Sequence, residues 1–135
     1  MDHDLGLELS SKDWRSACVL GGSGFLGSHV ADLLSEAGYE VTVFDTEVSP
    51  WLRHDQSMLL GDITDPSDVR AAVQECDVVY NFAAVADLNE AMASPVESAR
   101  INVLGNTVAL DESAAGSVQR FVYASSVYSL SRAGG

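Results

Sequence analysis

The sequence predicts a doubly wound α/β domain, a parallel sheet with helices on both faces. Three observations predict it. Short apolar runs of strand length alternate with stretches of helical period, the runs are apolar nearly end to end, and helix-start and helix-stop signals punctuate the alternation. The first run, Ala17-Cys18-Val19-Leu20, breaks into Gly21-Gly22-Ser23-Gly24, a buried strand ending in a tight turn. Leu26, Val30, Leu33, Leu34 and Ala37 then fall on one helical face, and Gly38 stops that helix. Val41-Thr42-Val43-Phe44 is a second strand ending at Asp45; Met58-Leu59-Leu60 is a weaker third, closed by Gly61-Asp62. Asp65-Pro66 has the form of an N-cap followed by proline in the first helical position, and Val69, Ala72, Val73 and Cys76 make the apolar face behind it. Val78 to Phe82 is the fourth strand. Ser94-Pro95-Val96-Glu97 repeats the start signal, with an acid placed for a capping box, and predicts a helix toward Gly116. Its residues Val96, Ile101, Val103, Leu104, Val108 and Leu110 cover more than one stripe, which predicts burial on two sides. Arg120 to Ala124 is the fifth strand.

Composition narrows the function. The chain has 135 residues, 47% of them hydrophobic, and a formal charge of −13 from 7 basic and 20 acidic side chains. That length supports one domain with a core, here residues 16–135 behind a polar extension over 1–15. The charge opposes nucleic acid and anionic membranes, and no basic cluster reverses it locally; its plain reading is solubility or adaptation to salt. No apolar run approaches the ~20 residues of a membrane span, and Met1-Asp2-His3-Asp4 lacks the basic start of a secretory signal, so the expectation is a soluble, cytoplasmic protein. Cys18 and Cys76 sit in apolar blocks as reduced core thiols, and His3, His29 and His54 are scattered, so no metal site is expected.

The chemistry concentrates in Gly21-x-x-Gly24-x-x-Gly27, which lies between a strand and a helix. Glycine there permits the tight turn and lets the backbone approach a pyrophosphate, which the amides of the helix N-terminus then hold. Gly27 lets helix and strand pack closely. Asp45 ends the next strand, where a carboxylate accepts from a ribose diol and repels a 2′-phosphate, favouring NAD over NADP. A ligand-free turn of the flavodoxin kind, with Asp45 an ordinary strand-end acid, is the bland alternative. A P-loop fits poorly, since no Gly-Lys-Ser/Thr follows the glycines.

The glycine spacing, with Gly61-Asp62-Ile63-Thr64-Asp65, Asn81-Phe82-Ala83-Ala84 and Tyr123-Ala124-Ser125-Ser126-Val127-Tyr128, resembles the extended short-chain dehydrogenase/reductases, and more narrowly the NAD-dependent epimerases and dehydratases of nucleotide sugars. The resemblance covers about residues 16 to 135 and implies a Rossmann-type fold. It implies that Gly21, Gly24 and Gly27 hold the pyrophosphate of NAD, that Phe25 and Leu26 cover it, and that Asp45 holds the adenosine ribose. Asp62 and Ile63 match the pair that contacts adenine, Ala83 and Ala84 the segment that passes beside the cofactor, and Asn102 the family's helix asparagine. Ser126 matches the active-site hydroxyl, with Ser125 as the neighbouring alternative. For Asp62 the competing reading is a loop cap before Asp65-Pro66; for Asn102 it is a satisfied core amide; Tyr128 reads as packing.

The proton relay of the family needs Tyr-x-x-x-Lys, and no lysine follows Lys12. Tyr128 and Arg132 do not substitute, because arginine stays charged and that tyrosine lies too near the serine. The expectation is therefore a partial sequence, an incomplete sheet with the C-terminal substrate domain absent, inactive alone and able at most to bind NAD. The complete parent would act on a nucleotide sugar as a homodimer, its interface a four-helix bundle that includes the 95–115 helix; the fragment, exposing that surface, would be poorly soluble. The alternative is a non-catalytic NAD(H)-binding regulatory module of the same fold.

Overall fold

A computed structural model describes residues 13–126. Five strands form one wholly parallel sheet in the order β3-β2-β1-β4-β5, with β1 at Ser16–Leu20, β2 at Glu40–Asp45, β3 at Gln56–Leu60, β4 at Val78–Asn81 and β5 at Arg120–Tyr123. The order reverses beside β1, which makes a doubly wound sheet with its crevice at the carboxyl ends of β1 and β4. β1 is apolar throughout because both its faces are covered. Cys18 and Leu20 pack with Phe44, Val69, Val73, Val79 and Ala109 on one side, while Ala17 and Val19 pack with Ala31, Leu34, Val41 and Val43 on the other.

Helix α1, Phe25–Glu36, ends in a Schellman motif: Tyr39 N donates to the Leu34 carbonyl and Gly38 N to that of Ser35, with Gly38 at φ 93°. Its buried residues are Gly27, Ser28, Ala31 and Leu34; of the predicted face Leu34 is buried and Val30 half-buried against the core, while Leu26, Leu33 and Ala37 are exposed. Small residues face the sheet at the start of the helix because α1 lies close against the turn there, and Leu26 and Leu33 are left outside. Helix α2, Pro66–Val73, forms as predicted, Asp65 accepting from the amides of Ser67 and Asp68, with Val69, Ala72 and Val73 buried. At the other end of the sheet, Asp77 accepts from Arg15 N and Ser16 N at 2.7 and 3.1 Å, binding the start of β1 to that of β4.

The crossover from β4 to β5 departs from expectation. A short helix α3, Leu88–Ala93, precedes the predicted one; Asp87 caps it by accepting from Asn89 N and Glu90 N. The predicted helix is present as α4, Pro95–Ala99, a π-helical turn, Arg100–Gly105, and α5, Asn106–Ala115. The capping box is not formed: Ser94 makes no side-chain cap bond, and Glu97 pairs with Arg100 instead. Burial is one-sided. Ser98, Gly105, Ala109, Glu112 and Ser113 face inward, while Val96, Val103, Leu104 and Leu110 are exposed. Arg70 and Glu112 join α2 to α5 through a two-pronged ion pair, each contact 2.9 Å.

Candidate functional site

The turn after β1 is shaped from both sides. Gly21 N and Gly22 N both donate to the Phe44 carbonyl, which fastens the turn to the end of β2. Gly21 has φ 76°, and a Cβ there would lie 2.5 Å from Ala83 N and 2.6 Å from the Phe82 carbonyl carbon. Only glycine fits beneath the segment leaving β4. A Cβ on Gly22 would meet Val43, and one on Gly27 would overlap the Gly21 carbonyl oxygen. Gly24 differs: its φ and ψ, −78° and 177°, suit any residue, and an added Cβ would meet only the Gly21 oxygen at 3.5 Å. The fold requires Gly21, Gly22 and Gly27. It does not require Gly24, which lines a cavity.

That cavity, about 290 Å³, is lined by Gly21, Gly24, Asp45, Asp62, Ile63, Ala83 and Ala84, seven of the predicted cofactor residues, together with Glu97 and Arg100. Asp45 Oδ2 accepts from Ser23 N at 3.0 Å and Oδ1 from Thr46 N at 2.7 Å, so the carboxylate stands between the turn and the end of β2. Asp62 Oδ1 accepts from Thr64 N at 2.8 Å and from Thr64 Oγ1 at 2.7 Å; these bonds, Thr64's amide foremost, hold its carboxyl below the usual aspartate range, against a small opposing cost of burial. Asp62 is thus the loop cap that one reading of the sequence offered, and its carboxylate also lines the cavity. Ile63 is buried against Gly105, where a Cβ would lie 2.7 Å from Ile63 Cγ2.

Phe25, Leu26 and Gly27 stand at the start of α1, outside that lining; Phe25 is 84% exposed, its ring beside His29. Asn102 and Ser126 lie in a second cavity, about 600 Å³, with Asn81, Ala83, Ala84, Asn106, Tyr123 and Ser125. Asn102 grips the backbone of Val85 with both ends of its amide, Oδ1 accepting from Val85 N at 2.7 Å and Nδ2 donating to its carbonyl at 3.1 Å. Buried Asn81 steadies the same segment, accepting from Ala83 N at 3.1 Å and donating to Asn106 at 2.9 Å. A third groove, at the amino ends of the strands and lined by Glu40, Asp55 and Glu75, holds none of the predicted residues. Cys18 and Cys76 are free and buried, and among the described residues no cluster of metal-ligating side chains occurs. No helix among them is long and apolar enough to cross a membrane.

Sequence reading missed four contributors. Gly22 and Gly105 are packing glycines, and nothing in a single sequence separates them from other glycines. Asn106 and Arg100 lie on a predicted helix, and only the fold brings them to the crevice.

The sequence pattern of the NAD dependent epimerase/dehydratase family matches residues 17–133. A 3-beta-hydroxysteroid dehydrogenase of Mycolicibacterium neoaurum is 37% identical over 119 residues, 84% of this chain and 32% of that protein. The solved UDP-glucose 4-epimerase of Thermotoga maritima, with UDP-glucose, superposes with a TM-score of 0.77 at 30% identity, covering 82% of this chain and 38% of that one. That of Brucella ovis, in complex with NAD, gives 0.77 at 30%, covering 84% and 36%. The chain spans about a third of the length of these relatives. With the pattern matching nearly all of it, the chain belongs to the NAD-dependent epimerase/dehydratase family.

Proposed function

We propose that the chain is the NAD-binding portion of an enzyme that, in its complete form, oxidises a nucleotide sugar by transient hydride transfer. Gly24 carries this reading: it is the turn glycine that the fold does not require, and it lines the same cavity as Asp45 and Asp62. A backbone approached that closely suits a pyrophosphate, with the N-terminus of α1, from Phe25 and Leu26, adding partial positive charge. Asp45 accepts from the ribose hydroxyls and opposes a 2′-phosphate. Asp62 and Ile63 meet the adenine, and Ala83 and Ala84 border the cofactor on a segment that Asn102 holds through Val85. NAD, when bound, supplies a hydride acceptor and donor.

Ser126 lies just beyond the carboxyl end of β5, in the larger cavity, where its hydroxyl would hydrogen-bond the reacting oxygen of the substrate. The exposed face of Val96, Val103, Leu104 and Leu110 would pair two copies of the complete enzyme. Nucleotide sugars are the substrate class of the two epimerases above; a 3β-hydroxysteroid is the second reading, favoured by the 37% identity to the steroid dehydrogenase. Calorimetric titration of the 135-residue chain should show NAD binding and much weaker NADP binding; no heat from a folded sample overturns the proposal. In the longer parent, Ser126→Ala should cut turnover while sparing NAD affinity, and oxidation of a UDP-hexose but not a 3β-hydroxysteroid selects the first substrate class.

A further inference from the structure

Arg100 is the sole cation among the described residues lining the smaller cavity, and no reading of the sequence placed it there. Its guanidinium is fixed on three sides. Nε and Nη2 take both carboxylate oxygens of Glu97, at 2.9 and 2.7 Å, and Nη1 donates to Thr64 Oγ1 at 2.5 Å. Thr64 Oγ1 in turn donates to Asp62 Oδ1, so a chain of bonds runs from Glu97 through Arg100 and Thr64 to Asp62. The other oxygen, Asp62 Oδ2, faces Arg100 Nη1 at 3.6 Å, close enough for attraction and too long for a direct hydrogen bond. The arrangement orients Asp62 while leaving Oδ2 to accept from something in the cavity. Gly105, at the far end of the same π-helical turn, receives Ile63, so that one turn grips the Gly61–Thr64 loop by its polar and apolar residues alike.

An ionised carboxylate accepts hydrogen bonds and donates none. Held at a fixed angle, it favours a ring that presents an amino group over one that presents a carbonyl oxygen, because the second pairs acceptor with acceptor. We infer that Arg100 is a positioning residue for the base of the dinucleotide, holding Asp62 through Thr64 so that the cavity selects a 6-amino purine over a 6-oxo purine. This rests on the proposed NAD-binding function and deepens it, from binding to recognition of the base.

The test compares NAD with nicotinamide hypoxanthine dinucleotide, which carries oxygen in place of the 6-amino group, in titrations of the 135-residue chain. The unaltered chain should prefer NAD by about tenfold. Arg100→Met should reduce the preference to about twofold, Arg100→Lys should restore part of it, and Asp62→Asn should abolish it, with no further loss in the double variant. A ratio of two affinities in one sample does not depend on how much of a variant is folded, so loss of stability alone leaves it unmoved. Equal binding of both dinucleotides by the unaltered chain, or an undiminished preference in Arg100→Met, overturns the inference and leaves the binding proposal standing. Binding of neither by the unaltered chain overturns both.

Discussion

The two cavities at the carboxyl edge of the sheet share Ala83 and Ala84 and differ in charge. The smaller is lined by Asp45, Asp62, Glu97 and Arg100, each already engaged by the chain's own hydrogen bonds or ion pairs. The larger carries no carboxylate or guanidinium among the described residues that line it; amides, hydroxyls and Tyr123 supply its polarity. A charged, hydrogen-bonded lining suits a ligand whose polar groups never vary, as those of a cofactor do not. Under the proposed function, the neutral lining beside the edge strand β5 is the side left for the reacting molecule.

The largest effect should come from breaking the packing of α1 against the turn that borders the smaller cavity. Gly27→Ala places a methyl group into the Gly21 carbonyl oxygen, so α1 must withdraw from the turn; we expect a loss of about 3 kcal/mol or more in urea denaturation, with NAD binding lost as the turn moves. Asp45→Ala acts on the charged cavity alone. NAD affinity should fall roughly tenfold, and the preference over NADP should narrow as the opposing carboxylate goes. Gly24→Ala sharpens the contrast with Gly27. Stability should stay within about 0.5 kcal/mol of the unaltered chain while NAD binding weakens roughly fivefold, because the methyl enters the cavity rather than the core. Loss of stability equal to that of Gly27→Ala would show that the fold, not a ligand, requires this glycine. Asn102→Ala touches the neutral cavity: hydrogen exchange over residues 83–87 should quicken by about tenfold, with NAD affinity changed only about twofold.

Elements that leave a mark on one face were legible in the sequence. β1 and β2 are apolar because they are covered twice, and α2 is declared by Asp65-Pro66 and by Val69, Ala72 and Val73. α3 buries no residue, so no periodic stripe announces it, and the trace it leaves is Asp87 at its cap. The face of α1 was legible in part: spacing finds Leu34 and Val30, but close approach at Gly27 selects Ala31 over Leu33 for the interior. For the site, glycines and strand-end acids were legible because backbone geometry fixes them. Arg100 was not, because its role depends on a contact with Thr64, 36 residues away, that exists only once β3, α2 and α4 are in place.

Acid offers the finest separation of the two cavities. Asp62 is held below the ordinary aspartate value of about 3.9, first by the Thr64 amide, then by the Thr64 hydroxyl and by Arg100. A depressed folded-state value means that the carboxylate contributes fully above its unfolded value and that the contribution is lost as pH falls through the folded one. Selection of the amino purine should therefore persist on acidification past the usual aspartate range and fail only below it. Arg100→Met should move that failure to higher pH by a small step, since the dominant bond, from a backbone amide, remains. Contacts in the neutral cavity should show no such transition, because no carboxylate or histidine is among the described residues that line it. Titrating the dinucleotide preference against pH, with hydrogen exchange of residues 83–87 followed in parallel, checks both halves at once. A simultaneous collapse would mean that the shared segment at Ala83 and Ala84, rather than the charge on Asp62, governs binding.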